Sequence, residues 1–145
     1  MQTTTTTPAV RLRVRDLMTA HVFAVRQNDD LLTVTELMDE HAFRHLPVVD
    51  AQSRVQGLVS QRDLLRTALR QPSLPPDVER HMLLSTTAGQ IMTPEPRTIG
   101  PDEDIRRAAQ IMLEHKYGCL PVVDKGRLVG ILTEADFVRF LAVGE

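Results

Sequence analysis

The chain repeats itself. Leu46-Pro47-Val48-Val49-Asp50 recurs as Leu120-Pro121-Val122-Val123-Asp124, and Met18-Thr19 recurs as Met92-Thr93, both at an offset of 74 residues. Between Val14 and Asp50, 11 of 37 aligned positions are identical to the segment Ala88 to Asp124. One residue is then lost in a turn, and Gly57-Leu58-Val59-Ser60-Gln61-Arg62-Asp63 matches Gly130-Ile131-Leu132-Thr133-Glu134-Ala135-Asp136 at an offset of 73. A period of this size means that one supersecondary unit has been used twice. A copy of about 55 residues buries its apolar faces poorly on its own, so the two are expected to pack together about a pseudo-twofold axis with clefts related by that axis.

Each copy reads as β-α-β-β-α, which makes the chain α/β (α+β) with two tandem repeats. Asn28-Asp29-Asp30 and Asp102-Glu103-Asp104 supply N-caps and negative charge for a first helix. Its apolar face is Leu31, Val34, Leu37 and Met38 in one copy and Ile105, Ala108, Ala109 and Met112 in the other, at helical spacing. Short apolar runs around Val48-Val49 and Val55 to Val59, and around Val122-Val123 and Leu128 to Leu132, predict hairpins, the second closed at Asp124-Lys125-Gly126. A second helix is predicted from about Gln61 to Leu69 and from about Glu134 to Ala142. Pro72, Pro75 and Pro76 interrupt the chain between the copies, and Asp77 to Leu84 predicts a short connecting helix. The expected layout is a disordered threonine-rich tail over 1–9, a first domain over 10–70, a linker over 71–87 and a second domain over 88–145.

Hydrophobic residues at 42% and charged residues at 25% exclude disorder of the whole chain. Seventeen basic against 19 acidic residues leave a net charge of -2, which argues against nucleic acid or an anionic membrane as partner. Arg11, Arg13 and Arg15 alternate as on a solvated face. No apolar run approaches the roughly 18–20 residues that span a bilayer. A single cysteine, Cys119, and a leading segment without the charged and apolar regions of a signal peptide predict a reducing, cytoplasmic setting.

The chemistry-bearing motif is Gly-apolar-apolar-(Ser/Thr)-x-x-Asp at a strand-to-helix junction, present twice. Ser60-x-x-Asp63 and Thr133-x-x-Asp136 have the form of capping boxes. A helix N-terminus is also a ready anion site, and a carboxylate beside it is well placed to accept hydrogen bonds from ribose hydroxyls, so the two readings do not compete.

Ile91-Met92-Thr93, then Leu-Pro-Val-Val-Asp, then Gly-Ile-Leu-Thr-x-x-Asp, in this order and repeated, resembles the CBS domain, named after cystathionine β-synthase. The resemblance covers roughly residues 14–69 and 88–142 and identifies the chain as a CBS pair, or Bateman module. It implies a nucleotide-binding regulatory protein that takes AMP, ADP or ATP in clefts between the repeats, with no catalytic residues and no cofactor. By that resemblance Asp63 and Asp136 hold ribose, Ser60 and Thr133 lie near ribose or phosphate, and Val25 and Ile99 lie against the base. For Val25 and Ile99 plain core packing is an equal alternative. Basic residues before the Pro-Val-Val run face phosphate in such proteins. The first repeat has Arg44-His45 there, whereas the second departs from the pattern with Gly118-Cys119. A guanidinium at Arg44 suits bidentate contact with phosphate. Pairing of such modules through exposed helices implies a homodimer, and the signal is expected to pass to a separate effector protein. S-adenosylmethionine or a cyclic dinucleotide stands as an alternative ligand.

Rival readings remain. His41 and His115 are equivalent positions, as are His45 and Cys119, and together these residue types suit zinc, which keeps a metal or redox sensor open. No C-x-x-C pair accompanies them. A ligand-free dimerisation module is the third class. For an enzyme there is no G-x-S-x-G elbow, no P-loop and no Cys/His pair in a recognisable context.

Overall fold

In a computed structural model, the structure describes residues 11–69 and 74–143. The expected disordered tail, 1–9, and the Pro72 helix stop lie outside the described residues. In chain order the elements are α1 (Val14–Leu17), α2 (Leu31–His41), β1 (His45–Val49), β2 (Val55–Ser60), α3 (Gln61–Leu69), α4 (Pro76–Ser85), α5 (Ala88–Ile91), β3 (Thr93–Pro94), α6 (Ile105–His115), β4 (Cys119–Asp124), β5 (Arg127–Thr133) and α7 (Glu134–Val143). The fold is mixed α+β with small antiparallel sheets, as the repeat predicts.

The first helix of each repeat begins where its cap is encoded. Asp30 accepts the Thr33 N–H at 2.8 Å, and Asp104 accepts the Arg106 N–H at 2.8 Å. Both helices stop at a left-handed residue, Ala42 (φ 57°) and Lys116 (φ 57°), whose N–H reaches back to Met38 and Met112. The connecting helix opens on Pro76, where a missing N–H costs nothing. In the second hairpin Lys125 (φ 52°) and Gly126 (φ 82°) both have positive φ, the twist a two-residue turn needs to join right-twisted strands.

The first strand expected in each repeat is minimal. It amounts to one parallel bridge: the Val25 N–H donates to the Pro47 carbonyl at 2.9 Å and the Val25 carbonyl accepts from Val49 at 2.9 Å. Ile99 does the same with Pro121 (3.0 Å) and Val123 (2.9 Å). Turns at Arg26 to Asp29 and after Gly100 end these segments at once.

Two compact units emerge, and they do not follow the sequence repeats. Of the described residues, one comprises those up to His21 with Thr98–Asp124 and those from Val129 on; the other comprises those within Val22–Arg97 with Lys125–Leu128. In the first unit α1 packs with the second repeat: Val14 and Leu17 share a core with Ile99, Ala108, Ile111, Met112, Leu120, Val122 and Leu132. The Thr19 and Ile131 backbones exchange hydrogen bonds of 2.9 and 3.0 Å, so Thr19 extends the β4–β5 hairpin. In the second unit α5 and β3 pack with the first repeat. Ala88 joins Val25, Leu31, Val34, Met38, Leu46, Val48 and Val59, and β3 adds a third strand beside β2 with Thr93 opposite Leu58.

Candidate functional site

Each unit carries one copy of the motif. In the second unit β1 and β2 run antiparallel with His45 opposite Ser60, and the Gln61 N–H donates to the Arg44 carbonyl at 2.7 Å. The structure thus brings Arg44, His45, Ser60 and Asp63 to one end of the hairpin. The Ser60 N–H donates to Asp63 Oδ2 at 2.9 Å and the Asp63 N–H donates to Ser60 Oγ at 3.1 Å, the reciprocal bonds of a capping box. The Asp63 side chain is 18% exposed, and its Oδ1 lies 3.9 Å from Arg66, a loose contact. Arg44 is exposed and His45 half-buried.

The first unit repeats the arrangement in a tighter form. Glu134 donates its N–H to the Gly118 carbonyl at 3.3 Å, which places Gly118-Cys119 where the other unit has Arg44-His45. Asp136 is only 4% exposed. Its Oδ2 accepts the Thr133 N–H at 2.8 Å and the Thr133 hydroxyl at 3.2 Å; its Oδ1 accepts from Arg139 at 2.9 Å and from the Thr19 hydroxyl at 3.4 Å. Four donors fill the lone-pair capacity of a carboxylate. Arg139 and Thr19 were not singled out by sequence reasoning. The signals were there: arginine three residues after each motif aspartate on a helix, and a threonine duplicated as Met18-Thr19 and Met92-Thr93.

Cys119 is buried against this carboxylate. Burial, and then the negative charge of Asp136, push its thiol up from 9.0 to about 12, so the sulfur is a neutral thiol at any physiological pH.

Val25 and Ile99 are buried at equivalent positions, one in each apolar core. His41 stacks on Phe23 with centroids 4.2 Å apart and lies 5.3 Å from Phe43, while His115 stacks on Tyr117 at 5.4 Å. Among the described residues no group of three or more His, Cys, Asp or Glu side chains is arranged to hold a metal ion. An open depression of about 420 Å³ lies at the other end of the first hairpin, lined by Arg26, Gln27, Asn28, Val49, Asp50, Ala51 and Gln56, and shares no residue with the motif. Among the described residues no helix is long and apolar enough to cross a membrane.

A model of the CBS domain matches residues 14–70 and 88–143. The chain belongs to the CBS domain family. It is 31% identical over 127 residues to hypoxic response protein 1 of Mycobacterium tuberculosis, covering 88% of this chain and 83% of that one. The crystal structure of that protein with two coordinated zinc ions superposes with a TM-score of 0.71 at 28% identity, covering 88% and 98% of the two chains. AcuB of Vibrio cholerae superposes with a TM-score of 0.78 at 34% identity, covering 92% of each chain. CBSX2 of Arabidopsis thaliana, solved in complex with AMP, gives a TM-score of 0.75 at 33% identity, covering 92% of this CBS pair and 98% of that chain.

Proposed function

We propose that this CBS pair is a non-enzymatic regulatory module that binds adenine nucleotides, AMP, ADP or ATP, and signals to a separate effector protein. The observation that carries this reading is the duplicated hydroxyl-x-x-Asp junction, in which each aspartate stands at a helix N-terminus with its carboxylate held by the backbone N–H of the motif's serine or threonine. Asp63 and Asp136 would accept from ribose hydroxyls, Ser60 and Thr133 would contact ribose or phosphate, Val25 and Ile99 would back the base, and Arg44 with His45 would meet phosphate. CBSX2 in its AMP complex, 33% identical, supports the ligand class. A cytoplasmic homodimer is part of the proposal, supported by exposed apolar side chains on α6 and α7, Leu113, Val138 and Leu141.

Thermal denaturation tests it. AMP at a hundred times its dissociation constant should stabilise the fold by about 2.7 kcal/mol per site. Arg44→Ala should weaken AMP and ATP by about ten- to a hundredfold, the scale of a charge-assisted hydrogen bond, and spare adenosine. If no adenine nucleotide at millimolar concentration moves the melting temperature, the reading falls; a shift with divalent zinc alone would favour a metal sensor instead.

A further inference from the structure

The two motif copies share a backbone but differ in charge. The Asp63 copy of the motif carries Arg44, Arg62 and Arg66, three guanidinium groups against one carboxylate, with Arg66 3.9 Å from Asp63. At the matching positions around Asp136 stand Gly118, Ala135 and Arg139, with Glu134 replacing Gln61, so two carboxylates face one guanidinium. Cys119 takes the place of His45 and adds no positive charge. The carboxylates also differ in readiness. Asp63 Oδ1 lies 3.9 Å from Arg66, a loose contact, whereas Asp136 Oδ1 is held by Arg139 at 2.9 Å and by Thr19 at 3.4 Å. A ligand hydroxyl at Asp136 must displace the Arg139 guanidinium, whose side chain is 65% exposed and therefore free to swing into solvent.

We infer that the two sites select different ligands: the Asp63 site takes the phosphorylated nucleotide, and the Asp136 site takes a nucleoside whose 5′ substituent is uncharged or cationic. This rests on the nucleoside-binding reading above. An anion at the Asp136 site would meet Glu134 and the carboxylate itself with no arginine in the Arg44 or Arg62 position, and like charges at short range repel. An uncharged nucleoside avoids that repulsion and gains the buried carboxylate as acceptor. Within this pair Glu134 and Ala135 are the specificity-determining positions, since both are exposed and alter charge without touching the core.

The test is calorimetric titration of the full chain with AMP and with adenosine, on the wild type, on Asp63→Asn and on the double variant Glu134→Gln/Ala135→Arg. Wild type should bind AMP in one site at least tenfold tighter than in the other, and Asp63→Asn should remove the tight AMP site while adenosine still binds at Asp136. The double variant, which copies the Gln61-Arg62 pair, should raise AMP affinity at the weak site by about tenfold and leave adenosine unchanged. Far-UV circular dichroism establishes that Asp63→Asn is folded, and the double variant reads the same proposal by gain of binding. Two AMP sites of equal affinity in the wild type, or a double variant with unaltered AMP binding, would overturn the inference and leave the general nucleotide reading standing. Absence of binding by both compounds to the wild type would remove that reading and this inference with it.

Discussion

At the scale of single residues, the two aspartates show how one motif is tuned by its neighbours. Asp136 is sealed by Thr19, Thr133 and Arg139, and its charge bears on a thiol that burial already keeps protonated. The consequence for stability has a definite sign. In the unfolded chain the thiol ionises near 9.0, and in the folded protein near 12, so above 9.0 the unfolded state holds fewer protons than the native one. The contribution is complete below 9.0 and is lost as pH rises toward 12, with a slope of up to about 1.4 kcal/mol per pH unit. Urea unfolding at about pH 8 and about pH 10.5 should therefore show the wild type losing about 2 kcal/mol more over that interval than Cys119→Ala. Equal losses would mean that the thiol does not couple to folding. The same burial makes the native thiol slow toward thiol reagents.

Secondary-structure elements were legible where local chemistry decides them. The caps at Asp30 and Asp104 and the apolar spacing of Leu31, Val34 and Met38 set α2 and α6, and Lys125-Gly126 sets the second turn, because each acts within a few residues. The face of α6 was read too narrowly: Ile111 is buried beside Ala108 and Met112, while Ile105 and Ala109 are only half-buried. Of the candidate site, the Ser/Thr-x-x-Asp caps and the adjacency of Arg44-His45 were legible, being short-range. The seal on Asp136 by Thr19 was not, since it joins residues 117 positions apart. Helix α7 raises a further expectation. Val138 and Leu141, three residues apart on one face, are 65% and 81% exposed, an arrangement that suits a helix covered by a second copy. Leu141→Glu should shift a homodimer toward monomer at micromolar concentration in light scattering while leaving the circular dichroism spectrum unchanged, because burying a leucine is worth about 1.5–3 kcal/mol. A wild type that scatters as a monomer would end the homodimer proposal.

For the molecule as a whole, the exchange of α1 and α5 matters most, and the repeat pattern alone was silent about it. Val14-x-x-Leu17-Met18 and Ala88-x-x-Ile91-Met92 occupy the same place in their repeats, so either segment suits either hairpin; local sequence cannot say which is chosen. The structure pairs each with the other repeat's hairpin: a Cβ on Gly130 would lie 2.6 Å from Met18 Sδ, and one on Gly57 would collide with Met92. A fragment cut within the linker expected from the sequence repeat, residues 1–75, therefore keeps α1, whose core lies in the other unit, and loses Ala88, Ile91 and Met92 from its own. Residues 22–97 hold the whole of that second core without interruption. Removing a buried residue of this size from a core costs about 2–5 kcal/mol, a large part of a small domain's stability. The fragment 22–97 should unfold cooperatively in urea with dispersed amide resonances, whereas 1–75 should be largely unfolded at the same concentration. If 1–75 proves the more stable of the two, α1 is able to serve its own repeat, and the exchanged arrangement is not what holds the pair together.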